Sequence, residues 1–142
     1  MDYEDEVISE LTTDECWELL RGGEFGRLAY VLGHEINIAP INYAVDGQTL
    51  LFETAEGSKL LGIVMDPHVV FETDRYNNEI AESVIVRGHA RLLEEDEAHR
   101  IENVPLRSWL KTLKYNVIEI VPAKLTGRRF HLNRLPERVH EA

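Results

Sequence analysis

The turn from Thr54 to Lys59, with the sequence "TAEGSK", brings two hydroxyls, a glycine and an ammonium group together between a β-like run and an apolar segment. Gly57 permits close approach of the backbone, and the first amides of a following helix direct partial positive charge into the turn. With Thr54, Ser58 and Lys59, these groups suit a phosphate monoester. Neither the Walker pattern nor G-x-G-x-x-G is present. Taken alone, the stretch fits an ordinary strand-to-helix turn with a solvated lysine better than a phosphate site.

The other polar residues predict neither a metal centre nor a nucleophile. The six histidines show no i,i+4 pairing and no cysteine neighbours, so metal ligation is not expected. Cys16 is the only cysteine and lies beside Trp17 and Leu19 on an amphipathic segment, which favours a core position over a catalytic one. No nucleophile elbow is present. We therefore name no catalytic residue.

Composition and charge narrow the class of protein. The apolar fraction of 44% and charged fraction of 29% are ordinary for a globular chain. A net charge of -11 disfavours a nucleic-acid partner, because the phosphate backbone would be repelled. A single cysteine indicates a reducing cytoplasm. The acidic start "MDYEDEV" is unlike a signal peptide, and no apolar run approaches the roughly 20 residues of a membrane span.

Strand patterns dominate the chain after residue 25. Five segments rich in β-branched and aromatic residues predict strands: "FGRLAYVLG", "EINIAPINYAV", "QTLLFET", "PHVVFETDRY" and "ESVIVRGHARLLE". A last strand pair is predicted in "LKYNVIEIVP" and "KLTGRRFHL". Asp46-Gly47 predicts a tight hairpin between the second and third strands, and "RYNNEIAE" supplies the turn between the fourth and fifth.

Short helices are predicted between these strands. Thr12 and Glu15 form a capping-box pattern before a helix from about Thr13 to Leu20, which Gly22-Gly23 ends. "GSKLLGIVMD" predicts a second helix, ended by its Asp-Pro junction, and "EEDEAHRIEN" opens a third. Six or seven strands with short helices predict a mostly antiparallel barrel. We predict one domain over residues 1–142, with a charged arm at 1–10 and a polar tail at 133–142.

The order of these segments resembles the flavin-binding split-barrel proteins of the pyridoxamine 5'-phosphate oxidase-like class, in particular its small bacterial members. The resemblance is carried by the run from "GRLAYVLG" to "VVFETD", then "SVIVRGHARLL", "SWLK" and "LTGRRF", and it spans about Leu11 to Leu132. It implies a six-stranded antiparallel split barrel with flanking helices. It also implies a homodimer with two flavins in its interface.

The resemblance also implies a set of cofactor-binding residues. It places Ala39, Ile41 and Asn42 of "APINY" along the flavin ring. It places the ribityl phosphate at the strand end and turn formed by Phe52, Glu53, Thr54, Ser58, Lys59 and Leu60. It brings Trp109 of "SWLK" close to the flavin bound mainly by the partner chain.

One residue departs from the pattern of this class. Many relatives read F-R-T before the turn, with the arginine pairing to phosphate, whereas this chain reads Phe52-Glu53-Thr54. A carboxylate at that place repels a phosphate at close range. Relatives resembling nitroimidazole-resistance proteins carry histidine there, so arginine is not universal. Arg75, Arg128 and Arg129 are the candidates to supply the missing charge.

The sequence is therefore compatible with two functions. The first is a flavoprotein oxidoreductase that binds FMN or a deazaflavin and acts on a small molecule. The alternative is a split-barrel small-ligand binding or interaction module that has lost tight flavin binding, which Glu53 favours. A haem-handling relative would need His34 or His131 as an axial ligand, and neither has a recognisable flanking pattern.

Overall fold

The computed structural model describes residues 8–55, 57–106 and 116–132, and within these ranges the chain is mainly antiparallel β structure. The strands are β1 (Ile8–Glu10), β2 (Phe25–Leu32), β3 (Glu35–Asp46), β4 (Thr49–Thr54), β5 (His68–Tyr76), β6 (Ile80–Leu92) and β7 (Asn116–His131). The helices are α1 (Thr13–Gly22), α2 (Ser58–Met65) and α3 (Glu95–Ala98), and α3 continues into a 3₁₀ turn at His99–Asn103. None of the helices in the described ranges is long and apolar enough to cross a membrane.

Six of the strands close into a ring. The neighbours run β7-β4-β3-β2-β5-β6, and β6 pairs back with β7. β1 pairs with β7 outside this ring, at the level of residues 128–130. The predicted six-stranded antiparallel split barrel is confirmed. One short strand is added to it by Ile8–Glu10, a segment that the sequence assigned to a charged arm.

The predicted pair of C-terminal strands is wrong, because residues 116–122 of the first segment and 124–131 of the second belong to the continuous 16-residue strand β7. The register between β6 and β7 shifts between Arg87 and Gly88, whose partners are Lys124 and Pro122. Ala123 is therefore an extra residue on β7, and the proline that resembles a strand end is absorbed into a β-bulge.

The barrel interior is filled by large side chains that alternate along the strands. Tyr43, Phe52 and Phe71 are fully buried, and the rings of Tyr43 and Phe71 meet edge to face with centroids 4.8 Å apart. The hydroxyl of Tyr43 donates to the carbonyl of Leu20 at 2.7 Å, which fixes α1 to the barrel. Cys16 on α1 is buried, as predicted.

The helices begin and end close to where the sequence predicts. The amide of Glu15 donates to Thr12 Oγ1 at 3.1 Å, and the amide of Thr12 donates to Glu15 Oε1 at 2.9 Å, so the capping box is confirmed. Helix α2 lies against β2 because Gly62 has no side chain, and a Cβ there would come within 2.8 Å of the Tyr30 ring. This close contact sets the position of the turn before α2.

Candidate functional site

Strands β3 and β4 divide the predicted site residues between two faces. Ile41 and Phe52 point into the core, where their exposed fractions are 3% and 0%. Asn42 precedes Tyr43 on β3 and Glu53 follows Phe52 on β4, and because Tyr43 and Phe52 are paired and buried, Asn42 and Glu53 lie on the opposite, outer face. The outer face is therefore where this part of the sheet presents polar side chains.

The amide nitrogen of Asn42 is buried without a hydrogen-bond partner in the described part of the chain. A buried donor left unpaired costs about 1–3 kcal/mol, and such atoms are rare in folded proteins. Asn42 pairs with Phe25 of β2 in the sheet, so its backbone is firmly held. An unpaired donor on a strand held by the sheet is free to bond an acceptor of a bound molecule.

The start of helix α2 has the electrostatic character of an anion site. Its N-cap residue is Gly57, which provides no side chain to bond the first-turn amides, and the first turn contains no acidic residue. Space around Gly57 is open, because a Cβ there would meet no atom within 4 Å. The amides of the first turn therefore remain available to an anion.

Lys59 lies in this first turn, where a cation is disfavoured by the positive end of the helix dipole. Its side chain is half-buried, and burial lowers the pKa of the ammonium group. Within the ranges that the structure describes, no carboxylate forms an ion pair with it. A bound phosphate would supply the negative charge that this partly buried cation lacks.

The remaining predicted residues contribute main chain or packing. Thr54 is buried and its hydroxyl donates to the carbonyl of Ala55 at 3.2 Å, so this proton is already in use. Ala39 and Leu60 pack against the main core cluster. Ser58 is exposed at the start of α2. Trp109 lies outside the described residues.

Two of the three candidate arginines are already neutralised. Arg75 Nε donates to Glu82 at 2.9 Å. Arg129 binds the same Glu82 through Nε at 2.9 Å and Glu15 through Nη2 at 2.9 Å. Arg128 is exposed on the last part of β7, beside Glu10 of β1. Of the three arginines and Lys59, Lys59 is the one that lies in the first turn of α2.

Comparison with known proteins identifies the family of this chain. The family model described as "Pyridoxamine 5'-phosphate oxidase" matches residues 12–129. The chain belongs to the pyridoxamine 5'-phosphate oxidase family. An uncharacterised protein of Mycobacterium tuberculosis is 40% identical over 95 residues, which are 66% of this chain and 86% of that protein.

Two solved structures are similar to this family member over most of its length. A FAD-binding protein from Mycobacterium smegmatis is 37% identical, with a TM-score of 0.76, and the match covers 87% of this chain and 99% of the other. A candidate pyridoxamine 5'-phosphate oxidase from Corynebacterium glutamicum is 36% identical, with a TM-score of 0.80, and the match covers 88% and 99%. The fold is thus one on which flavin-binding proteins are built.

The outer face of β3 in this pyridoxamine 5'-phosphate oxidase family member also carries exposed apolar side chains that were not among the predicted site residues. Ile36 and Ile38 of β3 are 81% and 71% exposed. They lie on the same face as Asn42, because residues at even positions of the strand alternate away from the core. The signal was present in "EINIAPINYAV", in which apolar residues occupy both faces of the strand.

Proposed function

We propose that this protein binds a flavin, with FMN as the first candidate, and uses it for hydride or electron transfer to a small molecule in the cytoplasm. The observation that carries the proposal is the unpaired amide nitrogen of Asn42 on a rigid strand of the family's barrel. The FAD-binding protein of M. smegmatis supports a flavin in general. A deazaflavin, which presents a similar ring and phosphate, is the second candidate.

Each part of the chain would act by holding a different part of the cofactor. Asn42 would donate its free N–H to an acceptor of the ring. Lys59 and the amides that begin α2 would hold the phosphate. When bound, the flavin supplies the capacity to accept and release a hydride or single electrons, while the protein orients the ring and excludes water.

We also propose that the protein works as a homodimer with the cofactor sites in its interface. Ile36 and Ile38 support this, because each exposes most of its side chain on the outer face of β3. Fully burying one such side chain contributes about 1.5–3 kcal/mol. A second copy that covers this face would also close the open side of the Asn42 site.

Glu53 favours the alternative of a small-ligand binding module without tight flavin binding. Its half-buried side chain follows Phe52 on β4, on the same outer face as Asn42. A carboxylate at this place opposes a phosphate, by an amount that depends on local screening. The choice between the two functions therefore depends on whether the attraction of a phosphate by Lys59 and the helix amides exceeds its repulsion by Glu53.

A spectrum and a titration distinguish these functions. The protein is purified, its visible spectrum is recorded, and the colourless form is titrated with FMN, FAD and a deazaflavin. We expect saturable FMN binding that Lys59→Ala weakens by about tenfold or more, as for a hydrogen-bonded charge. Lys124→Ala, which removes an exposed lysine of β7, is the matched control and leaves the affinity unchanged.

The variant Glu53→Arg tests the position of the phosphate. It replaces the repulsive carboxylate with a pairing group, so FMN affinity should rise. Unchanged or weaker binding would show that the phosphate lies elsewhere. No binding of any flavin at high concentration would favour the small-ligand module.

A further inference from the structure

Phe25, the first residue of β2, is an aromatic residue that was not among the predicted site residues. It is directly paired with Asn42 of β3. Directly paired residues of neighbouring antiparallel strands lie on the same face of the sheet, with their Cβ atoms about 5 Å apart. The side chain of Phe25 therefore lies beside the Asn42 amide on the outer face, and 43% of the residue is exposed.

The backbone of Phe25 is fixed by contacts with the neighbouring strand and with the core. Its carbonyl accepts a hydrogen bond from Thr73 Oγ1 of β5 at 2.8 Å. The next residue, Gly26, lies so close to the core that a Cβ there would overlap the ring of Phe71. β2 therefore cannot shift towards the core at this point, and the barrel itself sets where the Phe25 side chain begins.

The ring of Phe25 is also held from the side by Arg27. The guanidinium carbon of Arg27 lies over this ring, 5.9 Å from its centroid. Arg27 is itself held on β5, because its Nη1 donates to Glu72 Oε1 at 3.0 Å and to Asp74 Oδ2 at 3.2 Å. A half-exposed ring that is already held in place loses little freedom when a planar ligand packs against it.

The order of the strands gives the site two different ends. β4, β3 and β2 are consecutive neighbours in the sheet, at spacings of about 4.8 Å. The proposed phosphate site lies after β4, at the start of α2, and Asn42 lies on β3 between that end and Phe25. A flavin that bonds Asn42 and has its phosphate at α2 would therefore extend its ring towards β2.

We propose that Phe25 packs against the flavin ring and fixes the direction in which the cofactor lies, with the phosphate at the start of α2 and the ring end at β2. The inference rests on the proposed flavin function and deepens it, because it assigns the ring end of the site to a residue of β2. It also agrees with the proposed homodimer. A second copy that covers the outer face of β3 would enclose the same flavin from its other side.

The experiment observes the phenylalanine rings directly. The full-length protein, freed of any flavin and ¹³C-labelled in its four phenylalanine rings, is titrated with FMN and followed by NMR. The ring current of a bound flavin shifts the signals of a side chain that packs against it. We expect the signals of Phe25 to shift until FMN saturates the protein. Those of Phe52 and Phe71, which are fully buried in the core, should move much less.

Matched variants measure what the aromatic ring contributes. Phe25→Leu keeps an apolar side chain but removes the ring, so the affinity for FMN should fall by about 2- to 12-fold, and the loss of its signals identifies Phe25 in the spectrum. Phe25→Tyr keeps a ring and should bind FMN as the wild type does. Phe130→Leu makes the same change at a half-buried ring of β7 and should leave the affinity unchanged.

The outcomes separate this inference from the flavin proposal. If FMN saturates the protein while the Phe25 signals stay in place, or if Phe25→Leu binds FMN as tightly as the wild type, the flavin proposal stands and this inference is wrong. If no flavin binds, the flavin proposal fails and this inference fails with it. If the Phe25 signals change on dilution of a dimer and not on addition of FMN, Phe25 is a subunit contact and the inference is likewise wrong.

Discussion

Replacing Asn42 with leucine should change stability and flavin binding in opposite directions. The Asn42 side chain makes no hydrogen bond to another described residue, and its amide nitrogen is buried. Leucine has a similar size and no donor to leave unpaired. An unpaired buried donor costs about 1–3 kcal/mol, and the lower end applies here because the asparagine side chain is only half-buried. The free energy of unfolding of the apo protein should therefore rise by about 1 kcal/mol. The lost bond to the flavin should weaken FMN binding by about 2- to 12-fold.

Urea unfolding of the apo protein and FMN titration measure these two effects. Asn37→Leu is the control on the same strand, because the Asn37 amide nitrogen already donates to the carbonyl of Glu35 at 3.2 Å. That variant should give no gain in stability and no change in FMN affinity. A loss of 1 kcal/mol or more in apo Asn42→Leu would refute the reasoning, since it would mean that the amide group has a partner that holds the fold together.

Two further changes test the barrel itself. Gly88→Ala should destabilise the protein by about 1–3 kcal/mol, because the new Cβ would lie 2.9 Å from the carbonyl carbon of Val121. Gly57→Ala is the control, because the space around Gly57 is open, and it should have a much smaller effect. Urea unfolding measures both variants. Glu119→Gln should cost about 2–3 kcal/mol, because this buried carboxylate accepts from Arg100 at 2.6 Å and from a second arginine at 2.8 Å. Burial raises the pKa of Glu119, but hydrogen bonds from Arg100 and other donors outweigh it and hold that pKa below its ordinary value of 4.5. The stability difference between wild type and Glu119→Gln should therefore be complete above about pH 5 and shrink as the pH falls through the lowered pKa, and urea unfolding at pH 7 and pH 3.5 checks this.

Helices and turns could be predicted from the sequence where neighbouring residues decide the structure. The capping box of Thr12 and Glu15 needs only a spacing of three residues, and both of its hydrogen bonds are present. The hairpin at Asp46-Gly47 needs a residue that tolerates a left-handed backbone, and Gly47 has a φ of +61°. These signals do not depend on the rest of the barrel.

The course of β7 and the faces of β3 depend on pairing across the sheet, so local patterns did not determine them. Pro122 on its own predicts the end of a strand. Its partner on β6 is Gly88, which has no side chain and so leaves room for the backbone of β7 to bulge. In β3 both sets of alternate residues are mostly apolar, so their pattern does not distinguish the buried Ile41 from the exposed Ile38. The composition of the outer face depends on which strands are neighbours in the sheet, and local sequence does not determine that.

The position of Lys59 is difficult to explain as packing alone. The chain has 26 acidic residues against 15 lysines and arginines, so an acid to pair with a half-buried lysine should be easy to provide. The described chain provides none there, although it pairs Arg75, Arg100 and Arg129 with carboxylates. Partial burial of an unpaired cation at the positive end of a helix opposes folding through both desolvation and the helix dipole. Binding of an anion would offset this unfavourable free energy. Lys59→Ala should therefore stabilise the apo protein and weaken its binding of phosphate.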